Sequence, residues 1–386
     1  MALCLAFYLL MLKLSFTSAQ QLNTLNKACI DGSSYLLQIG VYQDSCPEAE
    51  AIIYSWVERA LSEDHRLAAS LLRLHFHDCF VNASGLQVFQ GCGASVLLDD
   101  TPSFIGEKTA APNLNSLRGF EVIDGIKSDL ESICPETVSC ADILATVARD
   151  SVTLVCDVSH FHSPPEECEL AVIWSGPGWE VQMGRRDSLT ASITAANKNI
   201  PGPNSSVATL VTKFQNVDFT LNDMVALSGA HTMGKARCST FSSRPNVNSN
   251  SNSPDINVDF LQSLQQLCSE SNSNTTLAHL DLVTPSTFDN QYYVNLISGE
   301  GLFSSDQILV TGDDQTREIV ESYANNPAIF FEEFKKSMLK MGNLGPLTGE
   351  DGETAKTVGL SINFSSSTTP TCNGSVVWAI RFGSFL

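Results

Sequence analysis

The stretch Arg73-Leu-His-Phe-His-Asp-Cys79 carries the most information about fold and chemistry in this chain of 386 residues. It lies within Leu67–Phe80, where leucines recur at the spacing of one helix face. Residues four apart on a helix lie about 40° apart in azimuth, so Arg73 and His77 share a face. His75 lies roughly 200° from His77, which argues against a zinc site that uses both rings. The pattern favours a base, His77, beside a fixed cation, Arg73, that would stabilise negative charge developing on a reacting oxygen.

A second informative histidine lies in the segment Asp223–Gly234. The preceding Thr220-Leu-Asn-Asp223 resembles a capping box, which would begin a helix running to about Ala230. His231 follows among small residues, which would allow a flat ligand to approach its ring. Either histidine alone would usually be an ordinary buried side chain, so a functional role needs the support of further motifs.

Helical periodicity dominates the rest of the chain, and strand-like alternation is scarce. The best short strand candidate is Trp179–Met183. We therefore predict a mostly α-helical protein. The further predicted helices are Pro47–Asp64, Gly119–Cys134, Val138–Val155, Val258–Cys268, Phe288–Ile297, Thr316–Asn325 and Ala328–Met341.

Composition and charge narrow the class of protein. The 22 Lys and Arg residues stand against 42 Asp and Glu, and the net charge of -20 argues against a nucleic-acid partner. The apolar run Ala2–Phe16, followed by Ser18-Ala19, predicts a signal peptide over residues 1–19 and is too short to span a bilayer comfortably. We therefore expect no membrane association after its removal. Twelve cysteines favour a secreted, disulfide-bonded domain. Five glycosylation sequons fit the same compartment, at Asn82, Asn204, Asn274, Asn363 and Asn373.

Taken together, the motifs resemble those of the secretory plant (class III) haem peroxidases. The resemblance covers about Val41–Gly352, and it implies an all-α monomer in which two helical lobes sandwich a b-type haem. The segments that carry it, in the family's order, are Arg73–Phe80, Arg118–Asp124, Thr137–Ile143, Gly184–Asp187, Val225–Gly234, Thr284–Asn290 and Ser305-Asp306.

The resemblance also implies roles on the distal side of the haem. His77 would take a proton from hydrogen peroxide and return it to the leaving oxygen, while Arg73 would stabilise the charge that develops. Asn113 would hydrogen-bond His77 and keep it basic, and Glu107 would form the acidic end of that network. Phe76 would pack over the haem and limit access to the iron.

On the other side of the haem, the resemblance makes His231 the axial iron ligand. Asp306 would accept a hydrogen bond from the second nitrogen of that ring and make it a stronger electron donor. Pro177 would line the site where small aromatic donors are oxidised by one-electron steps. The implied protein is a secreted haem peroxidase of the cell wall or vacuole, with roles in oxidative stress and wall phenolic metabolism.

Two calcium ions are also implied, because calcium prefers several oxygen ligands. In the distal set, Gly93 stands where the family has Asp, and the insertion Ala83–Gln90 interrupts the loop. The implied proximal ligands are Thr232, Asp281, Thr284, Thr287 and Asp289. The matching distal positions are Asp78, Val81, Gly91 and Ser95.

The cysteines match the family in part. Spacing alone does not yield the connectivity. Three further segments depart from the family: a second insertion (Cys156–Trp174), an extension over residues 20–40 and an altered tail over 353–386. Evolved loops or retained intron sequence would each explain such insertions. The pairings that the resemblance implies are Cys46–Cys134, Cys79–Cys92, Cys238–Cys268 and Cys140–Cys372.

Two other interpretations must be distinguished from that of a haem peroxidase. A haem-binding or structural wall glycoprotein with little turnover would keep His231 but lose the register of Arg73 and His77. A metallohydrolase that uses His75, His77 and Asp78 conflicts with the helix geometry and explains none of the other motifs.

Overall fold

The computed structural model describes residues 37–81, 91–155, 176–242, 257–269 and 275–359. The predicted signal peptide, both insertions, Cys372 and most of the N-terminal extension and the tail lie outside the described residues. Within the described part, one short two-stranded sheet and isolated bridges accompany a helical fold, which confirms the mostly α prediction. None of the described helices is both long and apolar enough to cross a membrane.

Thirteen α-helices are assigned among the described residues. Short 3-10 turns cover Ser95–Leu97 and Gly229–Thr232. The sheet pairs β1 (Lys235–Arg237) antiparallel with β2 (Leu277–His279), with Ala236 opposite Ala278. The α-helices are α1 (Ala49–Glu63), α2 (Leu67–Cys79), α3 (Phe120–Ile133), α4 (Cys140–Thr153), α5 (Ile193–Asn199), α6 (Val207–Gln215), α7 (Leu221–Ser228), α8 (Cys238–Phe241), α9 (Val258–Ser269), α10 (Gln291–Ile297), α11 (Ser304–Thr311), α12 (Asp314–Asn325) and α13 (Pro327–Gly342).

Periodicity locates the long helices well and the short elements poorly. Helices α5, α6, α8 and α11 are not predicted, because none has more than nine residues and such short segments seldom establish a period; the equally short α10 is predicted all the same. The predicted strand Trp179–Met183 is wrong, since in this segment only an isolated bridge between Met183 and Gln38 forms. The pairing of Lys235–Arg237 with Leu277–His279 joins segments far apart in sequence, and no local pattern signals it.

A capping box begins α7, the helix that leads to His231. Asp223 N donates to Thr220 Oγ1 at 3.1 Å, and Thr220 N donates to Asp223 Oδ2 at 2.8 Å, as the sequence predicts. The same carboxylate accepts hydrogen bonds from Ser337 and Lys340 on α13. One side chain therefore begins α7 and ties it to the helix that packs against it.

The two histidines belong to differently packed helix groups. Helix α2, which bears His77, packs along α4 through buried residues such as Leu71, Leu74 and Val147. Helix α7 leads to His231 and packs against α12 and α13, where Phe330 lies fully buried. Burial of such apolar side chains, about 1.5–3 kcal/mol for each, is the main stabilising contribution on both sides.

Three disulfides join the described residues, with the pairings that the resemblance implies: Cys46–Cys134, Cys79–Cys92 and Cys238–Cys268. Cys140 is a buried thiol among the described residues, and its burial raises its pKa well above the usual range. The pairing of Cys140 with Cys372 stays a prediction, because Cys372 lies outside the described part of the chain.

A buried ion pair anchors α4 to the segment that follows the second insertion. Asp142 is fully buried and accepts a hydrogen bond from Arg185 Nη1 at 2.8 Å. The Tyr42 hydroxyl and the Gly184 amide also donate to this carboxylate, at 2.6 and 2.7 Å. Removal of one partner of such a pair leaves the other charge buried without compensation.

We predict that Asp142→Ala lowers the free energy of unfolding by about 3–5 kcal/mol, because Arg185 then loses its counter-charge in the interior. Glu50→Ala, which breaks the more exposed pair with Arg149, should cost only about 0.2–1 kcal/mol. Urea unfolding followed by circular dichroism measures both. Equal losses in the two variants would contradict a structural role for the Asp142 network.

Candidate active site

The proton on His77 can be assigned from its hydrogen-bond partners. His77 Nδ1 lies 2.5 Å from Asn113 Oδ1, and Asn113 Nδ2 lies 2.8 Å from the carbonyl oxygen of Glu107. A carbonyl only accepts, so the amide must present its NH2 group to Glu107 and its oxygen to the ring. His77 Nδ1 therefore donates, and the lone pair of the neutral ring lies on Nε2.

The surroundings of His77 keep this ring neutral. Complete burial lowers its pKa well below the usual range, and the charge of Arg73 lowers it further. The hydrogen bond to Asn113 opposes both effects, because it favours the protonated form. At neutral pH the Nε2 lone pair is therefore available to accept a proton.

Arg73 is fixed one helical turn before His77. Its Nη2 donates to the carbonyl oxygen of Pro112 at 2.8 Å and to Ser116 Oγ at 3.2 Å. Burial, with a smaller contribution from Arg237, lowers its pKa to about 10, so the guanidinium stays charged at neutral pH. Because a guanidinium has five N–H donors, others remain for a ligand. Phe76 lies beside His77 with the ring centroids 5.7 Å apart.

His231 is also held at its Nδ1, by a carboxylate in place of an amide. Its Nδ1 lies 2.8 Å from Asp306 Oδ1, on α11. The Tyr292 hydroxyl donates to the same oxygen at 3.0 Å, and the Phe303 amide donates to Asp306 Oδ2 at 3.1 Å. A carboxylate that accepts these hydrogen bonds leaves Nδ1 of the ring as the donor. His231 Nε2 is then free to bind a metal.

Two glycines allow the His231 turn to fit its surroundings. A Cβ at Gly229 would lie 2.3 Å from the Tyr293 hydroxyl oxygen, so a larger residue would displace the turn. Gly234 has a φ of +102°, and a Cβ there would lie 2.9 Å from Cβ of Ala69 on α2. The chain just beyond His231 therefore passes against the helix that bears His77, and this approach requires glycine.

The residues around this region fit a b-type haem. His231 has one ring nitrogen bound to a carboxylate and the other free, the arrangement typical of an axial iron ligand. Its side chain is 39% exposed although Thr232 beside it is fully buried, so the ring borders an opening. A cavity between the start of α2 and the segment after His231 is rimmed by Arg66, Lys235 and His279. The Arg66 and Lys235 cations complement the two carboxylates of a haem b.

The proximal calcium candidates converge around Thr232. Thr232 Oγ1 lies 3.0 Å from Asp289 Oδ1 and 3.4 Å from Asp281 Oδ2. Thr284 Oγ1 lies 3.4 Å from the same Asp281 oxygen, and Thr287 N donates to the Thr284 carbonyl at 3.1 Å. Burial raises the pKa of Asp289. Carboxylate, hydroxyl and carbonyl oxygens in one place fit a hard cation such as calcium.

The distal calcium candidates accept hydrogen bonds within the chain, and their role as calcium ligands stays a prediction. Asp78 Oδ2 accepts from the Ala94 amide at 2.8 Å, and the Val81 carbonyl accepts from Asn199 Nδ2 at 2.5 Å. The Gly91 carbonyl accepts from the amide of Gly93, which has no side chain to offer. Ser95 is fully buried.

Pro177 is buried, and a Cβ at its neighbour Gly176 would meet the Val152 carbonyl and Phe288. A donor-binding role for Pro177 stays a prediction.

Several functional contacts have no sequence signal. The Tyr292 hydroxyl, which shares Asp306 with His231, comes from a separate helix. Glu107 accepts from the Ser192 amide at 3.0 Å, which joins the Asn113 loop to the start of α5. Arg237 donates to the Asn115 carbonyl and so bridges β1 to the same loop. Only family resemblance could have suggested these positions, since each contact joins distant segments.

Comparisons with known proteins identify the family of this chain. The family model described as "Peroxidase" matches residues 53–326. The chain is 57% identical to Peroxidase 40 of Arabidopsis thaliana over 315 residues, which covers 81% of this chain and 83% of that protein. It is 48% identical to Peroxidase 4 of Vitis vinifera over 329 residues, covering 85% and 92% of the two chains. The chain therefore belongs to the plant haem peroxidase family.

Proposed function

We propose that this protein is a secreted peroxidase that reduces hydrogen peroxide with electrons taken one at a time from small aromatic donors. The observation that carries the proposal is the pair of oriented imidazoles. His77 has a free Nε2 beside the charged Arg73, and His231 has a free Nε2 backed by Asp306. One ring suits proton transfer and the other suits iron ligation.

The haem would be held by residues from both helix groups. His231 Nε2 would bind its iron, and Arg66 and Lys235 would face its carboxylates at the rim of the cavity. When bound, the haem supplies the iron that exchanges electrons with peroxide and with the donor. Asp306 accepts the Nδ1 proton of His231 and so makes the ring a stronger donor to that iron.

The residues on the distal side of the haem would transfer a proton between the two oxygens of hydrogen peroxide. His77 Nε2 takes a proton from one peroxide oxygen and returns it to the other, which leaves as water when the O–O bond breaks. Arg73 stabilises the negative charge that develops during the cleavage. Two donor molecules each supply one electron and one proton, so that the peroxide ends as two waters.

A calcium ion bound by Thr232, Asp281, Thr284, Thr287 and Asp289 completes the proposed cofactor set. Thr232 follows His231 directly, so an ion there would fix the turn that presents the imidazole. The cell wall or vacuole as location, a monomeric state and roles in oxidative stress and wall phenolic metabolism remain predictions from the resemblance.

The alternative, a haem-binding wall glycoprotein with little turnover, requires the distal residues to be out of register. The contacts of Arg73, His77 and Asn113 favour the enzyme instead. To test the proposal, the chain is expressed with haem and calcium, and oxidation of a phenol by peroxide is followed. A normal Soret band with turnover supports the peroxidase. A normal Soret band without turnover would favour the glycoprotein.

We predict that His77→Ala slows the reaction with hydrogen peroxide by about 10²–10⁴-fold, because the base that moves the proton is gone. Stopped-flow absorbance of the haem protein measures the second-order rate constant. Asn325→Ala, an exposed change on α12, serves as the control. A rate constant in His77→Ala equal to that of the control would show that the role is misassigned.

The pH dependence of the same step should report the depressed pKa of His77. The base works when it is neutral, that is, above its pKa, and burial places that pKa well below the usual value of about 6.5. The rate constant should therefore stay level through the ordinary histidine range and fall only at lower pH. Asn113→Ala removes a hydrogen bond that raises this pKa, so its acid limb should move still lower. A limb near 6.5 in both proteins would refute the assignment.

We predict that Asp306→Asn makes the reduction potential of the haem iron more positive, because a neutral amide no longer pushes electron density through His231. It should also weaken haem retention by about 10–100-fold. Potentiometric titration and haem transfer to apomyoglobin measure the two effects. Asp314→Asn, at an exposed site on α12, should change neither, and an unchanged potential in Asp306→Asn would argue against the proximal assignment.

A further inference from the structure

Three tyrosines lie in ring contact beside the proposed iron ligand. The Tyr292 ring meets the His231 ring edge to face, with the centroids 6.1 Å apart. Tyr293 lies 5.0 Å from Tyr292, and Tyr323, on α12, lies 5.2 Å from Tyr293. All three side chains are buried, and they are called the tyrosine row below. Phenols are the donors that the proposed function oxidises, so this row offers electrons to an oxidant bound at His231.

The three hydroxyls of the tyrosine row differ in the group that can accept their proton. The Tyr292 hydroxyl donates to Asp306 Oδ1 at 3.0 Å, so its partner is a carboxylate. The Tyr293 hydroxyl donates to the backbone carbonyl of Val225 at 2.9 Å, and a backbone carbonyl does not keep a proton. The Tyr323 hydroxyl has no hydrogen-bond partner among the described residues. Within the row, Tyr292 alone is therefore bound to a base.

Burial makes the proton acceptor decisive for oxidation of these phenols. A phenol that loses an electron alone becomes a cation, and an unpaired charge is costly in a site closed to water. If the proton leaves with the electron, the side chain stays neutral. Tyr292 can pass its proton along an existing hydrogen bond of the length at which such transfers occur. Asp306 then donates to the tyrosine oxygen and keeps its hydrogen bonds from His231 and the Phe303 amide.

We propose that Tyr292 is a redox-active residue that gives one electron to the oxidised haem when no donor is bound, while its hydroxyl proton moves to Asp306 Oδ1. The inference rests on the proposed peroxidase function, since hydrogen peroxide supplies the oxidant. The O–H bond of Tyr292 breaks, an O–H bond forms on Asp306, and a neutral tyrosyl radical holds one oxidising equivalent of the peroxide. A phenol donor later returns the electron, and the Asp306 proton goes back to Tyr292. The donor's own proton ends in water, as in the reaction proposed above.

Tyr42 also donates to a carboxylate, but its setting argues against the same role. Its hydroxyl lies 2.6 Å from Asp142 Oδ2. Asp142 is paired with Arg185 in the interior, so a proton on Asp142 would leave the Arg185 charge without compensation. Asp306 carries no such partner charge beyond the ring of His231. Tyr42→Phe removes the same kind of hydrogen bond as Tyr292→Phe and is therefore the matched control.

The hydrogen bond that remains after the transfer gives the radical a spectroscopic signature. Once Asp306 carries the proton, it donates to the oxygen of the Tyr292 radical, and such a hydrogen bond lowers the largest g value of a tyrosyl EPR spectrum. A radical on Tyr323 would have no such donor, because its oxygen has no partner among the described residues. The g value therefore distinguishes Tyr292 from Tyr323 in the wild-type protein, where no substitution disturbs the fold.

The test mixes the haem-bound protein with hydrogen peroxide without a donor, freezes it rapidly and records high-field EPR spectra. Protein labelled with ring-deuterated tyrosine identifies the signal, because this label narrows the spectrum of a tyrosyl radical and of no other radical. We expect a tyrosyl signal with a lowered g value in the wild type. Tyr292→Phe should lose this signal, whereas Tyr42→Phe and Tyr323→Phe should retain it in full. The haem absorption spectrum of each variant is recorded beforehand.

Several results would overturn the inference. A signal that the label does not narrow lies on another kind of residue, and a signal that persists in Tyr292→Phe lies on another tyrosine. Loss of the signal in Tyr42→Phe or Tyr323→Phe, with the haem retained, would assign the radical to that residue. Should Tyr292→Phe fail to bind haem, an unlowered g value in the wild type would still exclude Tyr292. Phenol turnover by the wild type without a tyrosyl signal would refute this inference alone, whereas no reaction with peroxide would overturn the proposed function as well.

Discussion

The site depends on one constraint: each imidazole donates from its Nδ1 to a side-chain oxygen that further hydrogen bonds hold in place. On one side the constraint begins at the backbone carbonyl of Glu107, which orients the Asn113 amide and so places the His77 proton. On the other side, Asp306 accepts directly from His231. Both rings are left with a free Nε2, and the surrounding helices serve to hold those acceptors in place.

The cationic side chains nearest the site serve the chemistry of the two histidines. The chain as a whole is strongly acidic, yet cations rim the cavity beside His231, and Arg73 lies buried next to His77. In a buried setting a nearby cation keeps the base neutral and stabilises negative charge at the same time. Away from the site, the buried Arg185 is paired with Asp142 and contributes to the fold.

The sequence predicts the elements that depend on local spacing. Helix periodicity gives α2 and α4, the capping box gives the start of α7, and the i, i+4 spacing of Arg73 and His77 places them on one face. It does not predict the contacts that join distant segments, such as Tyr292 with Asp306 or Glu107 with Ser192. Such contacts depend on tertiary packing, which no short-range pattern encodes.

The tautomers of the two histidines test this account most directly. In the haem-bound ferrous protein with carbon monoxide, which is diamagnetic, ¹H–¹⁵N correlation spectra of ¹⁵N-histidine report which ring nitrogen carries a proton. The account predicts a protonated Nδ1 and an unprotonated Nε2 on His77, and a protonated Nδ1 on His231. A proton on Nε2 of neutral His77, or a deprotonated Nδ1 on His231, would contradict it.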